Sequence, residues 1–156
     1  VKRVIRALEF YHQNGTPISE HNEEQKKQVS PYNLAYFVLN APREILYERI
    51  DRRVDQMLEE GLVKEVADLR QEGCHRGMVS MQGLGYKEIL AYLEGEYPLE
   101  EAVRILKRDT RHFAKRQLTW FRRESDVIWV DKEKFDWDEK EILNYMKRIC
   151  EERKII

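Results

Sequence analysis

The chain has 156 residues, enough for one sizeable core and too few for a long multidomain assembly. Twenty-eight Lys and Arg against 29 Asp and Glu leave a net charge of −1, which excludes a uniformly basic coat or an acidic tail, so any electrostatic function requires local segregation of charge. With 42% hydrophobic and 10% aromatic residues the chain is too apolar to stay disordered, and no run approaches the ~20 apolar residues of a membrane span.

The first residue is Val1 rather than Met, and the next ten already read as an amphipathic helix, so the chain is expected to begin inside a larger protein. Val4, Ile5, Leu8 and Tyr11 recur near helical spacing until Asn14-Gly15 ends the pattern. Thr16 to Pro31 is polar without an apolar period and reads as a connection or a partly exposed arm. Asn33 to Asn40 is apolar on both alternating faces, as in a parallel strand buried between helical layers. Pro42 suits a first helical turn, and Ile45, Leu46, Ile50, Val54, Met57 and Leu58 carry a long helix as far as Gly61. A second helical piece through Leu62, Val66 and Leu69 ends at Gly73, and the glycine-rich stretch from there to Gly85 is a loop.

Another helix starts at Tyr86 and stops at Gly95; after Pro98 a pattern without Gly or Pro runs to about Arg123. Val127 to Val130 reads as a second buried strand, and Ile142, Met146 and Ile149 place one apolar stripe on a closing helix. The fold class is therefore α/β, predominantly helical, with the two strands side by side or nearly so in a parallel sheet flanked by helices. Two strands cannot make a stable sheet alone, so further strands are expected from a missing amino-terminal half.

The strongest local signal lies between Arg104 and Arg123, where eight cations face Asp109 alone, a local net charge of +7. Arg104, Lys107, Arg108, Arg111, Lys115 and Arg122 fall within roughly 100° of the helix surface and make a stripe of ~27 Å, suited to successive phosphates. Leu106, Phe113 and Trp120 repeat every seven residues on the opposite side and are expected to pack. A second basic cluster, Arg49, Arg52 and Arg53, has Glu48, Asp51 and Asp55 nearby for ordinary pairing. Gly83-Leu84-Gly85-Tyr86 precedes a helix, as an anion loop would, but a tight turn is the simpler reading. No metal-ligand spacing, nucleophile elbow or GxxxxGK[ST] string occurs, and Cys74 and Cys150 form no motif. On residues alone the chain could bind, as a non-catalytic helical RNA-binding module or a protein-interaction helix bundle would, and no complete active site is identified.

Four strings in this order, Lys2-Arg3-Val4-Ile5-Arg6-Ala7-Leu8-Glu9, Arg53-Val54-Asp55-Gln56-Met57-Leu58-Glu59-Glu60-Gly61, Gly85-Tyr86-Lys87-Glu88 and Lys115-Arg116-Gln117-Leu118-Thr119-Trp120-Phe121-Arg122, resemble the carboxyl-terminal half of tRNA dimethylallyltransferase, also called tRNA isopentenyltransferase. The resemblance implies transfer of a dimethylallyl group from its diphosphate to N6 of the adenosine 3′-adjacent to a tRNA anticodon. It implies a P-loop kinase-like, nucleotide-binding type of core with a helical insertion, residues 1–27 ending the insertion and 28–156 forming the later half of the core. It assigns Arg53 to the diphosphate as the catalytic residue. Lys2, Arg3, Arg6, Gly85, Tyr86, Lys87, Tyr92, Lys115, Arg116, Gln117, Thr119 and Arg122 fall in its tRNA-contacting segments, where Val4 and Leu90 are expected to be core positions. The implied partners are a tRNA anticodon stem-loop and dimethylallyl diphosphate, the cofactor is Mg2+ with its ligands in the other half, and the setting is cytoplasmic, non-membrane and monomeric. The family's phosphate loop and general-base Asp lie outside these residues, so the chain alone is expected to be inactive.

Overall fold

A computed structural model describes residues 1–27 and 30–156. Seven α-helices and two short strands are present among them: α1 (Lys2–Asn14), α2 (Ile18–Lys27), β1 (Tyr36–Asn40), α3 (Arg43–Glu59), α4 (Leu62–Gln71), α5 (Tyr86–Leu93), α6 (Leu99–Phe121), β2 (Val127–Asp131) and α7 (Glu139–Glu152). Single 3-10 turns occupy Val79–Gln82 and Lys132–Phe135. No helix among the described residues is long and apolar enough to cross a membrane.

The chain divides into two compact units, residues 1–34 with 150–156, and residues 35–149. In the first, α1 closes where the Gly15 N–H donates to the Tyr11 carbonyl, and Phe10 of α1 meets His21 of α2 at a ring separation of 5.2 Å. The side chain of Asn33 donates to the Arg153 carbonyl and Arg153 donates to the Leu34 carbonyl, tying the two stretches of this unit together. Within the segment read from Thr16 as a connection or arm, Ile18–Lys27 is instead the helix α2, while residues 28 and 29 of that expectation, and the boundary placed there, lie outside the described residues. Val4 is another correction, being 62% exposed rather than core.

In the second unit β1 and β2 pair in parallel, with Tyr36 opposite Val127 and Asn40 opposite Asp131. The first strand is shorter than the sequence pattern, since 33–35 is not extended ladder. The core is helical: Val54 of α3, Leu62 and Val66 of α4, Ile89 and Leu90 of α5, Ala102 and Leu106 of α6, with Met81 from the loop beneath. Gly61 at φ +104° lets α3 stop and α4 restart at once, a backbone state costly for any residue with a Cβ. Gly85, at φ +99°, opens α5 in contact range of Met57 and Leu62, and its N–H donates to the buried Glu88 carboxylate at 2.9 Å. That side chain caps the Gly85 N–H, one of the helix N-terminal donors an external anion would need.

The expected packed stripe of α6 is only partly real. Leu106 is buried, but Phe113 is 45% and Trp120 53% exposed. A seven-residue repeat drifts ~20° per repeat on a straight helix, and the buried residues of α6, Ala102 and Leu106, both lie in its first half. The Trp120 indole instead leans edge-on against Phe121 at 5.2 Å. Leu106→Ala is therefore expected to destabilise the chain by about 2–5 kcal/mol in urea unfolding, and Trp120→Ala by under ~1 kcal/mol. Equal effects would show that the second half of α6 packs as the first does.

Candidate functional site

The carboxyl ends of the two strands define one edge of the site. The Asn40 amide donates to Asp131 Oδ1 at 2.8 Å across the ladder, and Lys134 bridges the same carboxylate at 3.0 Å. Those two interactions, Asn40 first, hold the Asp131 carboxyl below the usual carboxylate range. Beyond Asn40 the chain turns through Ala41 and Pro42 into α3, where Arg43 donates to the Tyr47 hydroxyl one turn later. Between this turn and the last turns of α6 lies a cleft of about 350 Å3 whose floor is Leu46 and Leu118 and whose α6 wall carries Lys115, Thr119 and Arg122. Spacings of four and seven residues put these three on one helix face. The Thr119 hydroxyl donates to the Lys115 carbonyl, which fixes its rotamer and leaves its lone pairs toward the cleft.

Charge along α6 is partitioned. Arg104 pairs with Glu101 at 2.6 Å, Lys107 with Asp55 at 2.6 Å, Arg108 with Asp109 at 2.8 Å, and Arg111 with Asp51 at 2.6 Å. The Asp109 carboxyl is lowered chiefly by its hydrogen bond from Arg108. The stripe read from the sequence as opposed by Asp109 alone is therefore neutralised through Arg111, and three of its four acids, Asp51, Asp55 and Glu101, lie outside the segment from Arg104 to Arg123. Past that point Lys115, Arg122 and Arg123 have no ion pair among the described residues, and Arg116 lies over the Phe113 ring at 5.7 Å.

The other sequence-derived residues distribute as follows. Lys2, Arg3 and Arg6 are exposed on α1, in the first unit. Gly85 is buried, and the Tyr86 hydroxyl donates to Glu65, a hydrogen bond that raises the phenol above its ordinary pKa. Lys87 reaches Glu88 at 3.2 Å and Asp109 at 3.6 Å, and Tyr92 is half-buried against the core. Gln117 borders the hollow beside β1 that Arg49 and Lys132 also line. Arg53 is an exposed side chain lining a separate hollow of about 280 Å3 with Arg49, Met57 and Leu106. Its nearest acid is Glu60 at 3.7 Å, seven residues on, rather than any of the neighbours at helical spacing.

Comparison with known proteins settles what this arrangement is related to. The family model described as IPP transferase matches residues 1–124. The chain belongs to the IPP transferase family. It is 63% identical over its whole length to a tRNA dimethylallyltransferase of Lachnoclostridium phytofermentans, of which it covers 50%, and 56% identical over 144 residues to one of Acetivibrio thermocellus, of which it covers 46%. It thus spans about half the length of the curated relatives it matches. Among solved structures it is similar to the tRNA isopentenylpyrophosphate transferases of Staphylococcus epidermidis (TM-score 0.74, 36% identity, 97% of this chain and 48% of that one) and Bacillus halodurans (0.72, 44%, 98% and 46%). It is similar also to a eukaryotic dimethylallyltransferase described as acting on tRNA (0.71, 29%, 96% and 39%). The predominantly helical IPP transferase fold with a small parallel sheet accords with these structures.

Sequence reasoning missed the Asn40–Asp131 tie, although both residues close their strands and the parallel register brings such ends together. It missed Asp51 and Asp55 as partners of α6 because no local spacing links residues more than fifty positions apart. Because the folded state lowers the Asp131 pKa, the stability this carboxylate contributes is present above its unfolded value of about 3.9 and is lost as pH falls through the lower folded value. Asp131→Asn should therefore melt below the parent protein at pH 7, with the gap closing as pH falls below about 4. A gap that stays constant as pH falls well below about 4 would mean the carboxylate charge contributes nothing to the strand edge.

Proposed function

We propose that this chain serves as the tRNA-holding and donor-facing half of a tRNA dimethylallyltransferase. Family membership favours this reading over a non-catalytic RNA module or a protein-interaction bundle. In the reaction, N6 of the adenosine 3′-adjacent to the anticodon attacks the terminal allylic carbon of dimethylallyl diphosphate. The carbon–oxygen bond breaks, diphosphate leaves with the electron pair, and the N6 proton passes to a base in the other half of the protein. Residues 1–27 are the end of the insertion that grips the anticodon stem, and 28–156 the later half of a P-loop-type core.

The observation that carries the proposal is the unpaired Lys115 and Arg122 on one wall of the cleft, on a helix whose earlier cations are each held by a carboxylate. Unpaired cations at a concave edge attract a polyanion without first having to break an ion pair. Thr119 adds a hydroxyl between them; Tyr86, Lys87, Tyr92, Arg116 and Gln117, with the Gly85 turn, are the further tRNA-contacting residues of the same unit, and Lys2, Arg3 and Arg6 are those of the first unit. Arg53, with only a long contact to Glu60, is free to turn toward the donor diphosphate, where a guanidinium offsets charge that grows on the departing oxygen. The resemblance also implies Mg2+. Among the described residues no three His, Cys, Asp or Glu side chains gather where a metal ion would sit.

In the full-length enzyme, replacing Lys115 and Arg122 by Ala should weaken tRNA binding and flatten log K against log salt by about 0.7–0.9 for each phosphate left without its cation. Arg104→Ala, which removes a paired cation, should leave the slope unchanged. An unaltered slope in the double variant overturns the tRNA reading of the cleft. For Arg53, turnover at saturating tRNA should fall roughly 10- to 100-fold in Arg53→Ala, with a smaller rise in KM for tRNA. Near-normal kcat in both Arg53→Ala and Arg53→Lys makes it a surface residue only.

A further inference from the structure

Arg49 lies one helical turn before Arg53, and both guanidinium-bearing side chains line the same hollow. The acids that the sequence offers to Arg49 are committed elsewhere: Glu48 to Arg52 at 2.6 Å, Asp51 to Arg111 at 2.6 Å, and Asp55 to Lys107 at 2.6 Å. Arg49 instead lies over the indole of Trp137, its Cζ 4.6 Å from the ring centre. Two arginines four residues apart on one helix face repel one another, and neither is offset by a close carboxylate. A guanidinium held against an aromatic face keeps its edge N–H donors unspent, whereas one in a salt bridge has used them.

The indole is held there by backbone that ordinary residues avoid. Asp136 and Trp137 are consecutive non-glycine residues with positive φ, 47° and 63°. Their N–H groups donate to the Glu133 and Lys132 carbonyls at 3.1 Å, closing the turn after β2. On the other side the Asp138 carboxylate accepts the Lys140 N–H at 2.7 Å and fastens the start of α7. The turn that carries the half-buried indole is thus closed by hydrogen bonds on both sides.

We propose that Trp137 is a positioning residue that holds Arg49 beside Arg53 as the second guanidinium of a diphosphate-binding face. This rests on the reading of Arg53 given above. A diphosphate presents oxygens on two phosphorus atoms, more than one guanidinium fork can engage, and two forks one turn apart on a helix match that spread.

The test uses the full-length protein and inorganic diphosphate, with affinity measured by titration calorimetry. Arg49→Ala should weaken binding by roughly tenfold or more. Trp137→Leu should weaken it by roughly three- to tenfold, and Trp137→Phe, which restores an aromatic face, should recover most of the affinity. In the Arg49→Ala background Trp137→Leu should lose most of its effect, because Arg49 at 4.6 Å is the nearer of the two cations on the indole, Lys132 lying 6.0 Å from its centre. A Trp137→Leu effect that persists undiminished without Arg49, or no effect in the parent, overturns the inference, as does a protein that binds no diphosphate at all. Arg53→Ala separates the two readings: unchanged affinity there removes the Arg53 assignment, while the coupling between Arg49 and Trp137 still decides the present one.

Discussion

Two carboxylates one turn apart on α3, Asp51 and Asp55, meet two cations one turn apart on α6, Arg111 and Lys107, at 2.6 Å each. The order is reversed between the helices, so the ladder sets α3 and α6 antiparallel and in register over the buried contact region of Val54 and Leu106. These side chains are too exposed for the pairs to stabilise the fold much, and exposed pairs contribute about 0–1 kcal/mol each. The apolar burial beneath them stabilises far more. The pairs matter because they consume charge: they remove both acids from the arginines of α3 and two cations from the stripe of α6. Arg49 on α3 is left to the Trp137 indole partly because this ladder takes both Asp51 and Asp55.

Much of the fold was legible because its signals are local. The apolar periods of α3, α4 and α6 end at Gly61, Gly73 and the run before β2, and two short β-branched and aromatic runs mark the strands that pair. The helix α2 was missed because its residues, ISEHNEEQKK, carry almost no apolar face; its evidence is propensity, with Pro17 at the start and helix-favouring Glu, Gln and Lys after it. The exposed Trp120 was misread because periodicity says which residues share a face and not how far along a helix a partner extends. The tRNA-contacting and diphosphate assignments came from motif resemblance, since no arrangement of charge in one dimension distinguishes a phosphate-binding lysine from a solvated one.

Within α3, three arginines in five positions have three different fates. Arg52 is neutralised by Glu48 at 2.6 Å, Arg53 keeps a 3.7 Å contact to Glu60, and Arg49 lies on Trp137. In the sequence they are equivalent, and their neighbours Glu48, Asp51 and Asp55 would pair with them indifferently. The distinction arises from elements far away in the chain: α6 claims Asp51 and Asp55, and the turn after β2 supplies an aromatic face in place of an acid. A carboxylate and an indole both attract a guanidinium, but they leave it in opposite conditions for binding an anion. The first cancels its charge and occupies its donors; the second orients the plane and leaves charge and donors in place. A binding face for a diphosphate needs the second condition, and on α3 Arg49 meets it, with its guanidinium on the Trp137 indole and its side chain lining the hollow it shares with Arg53.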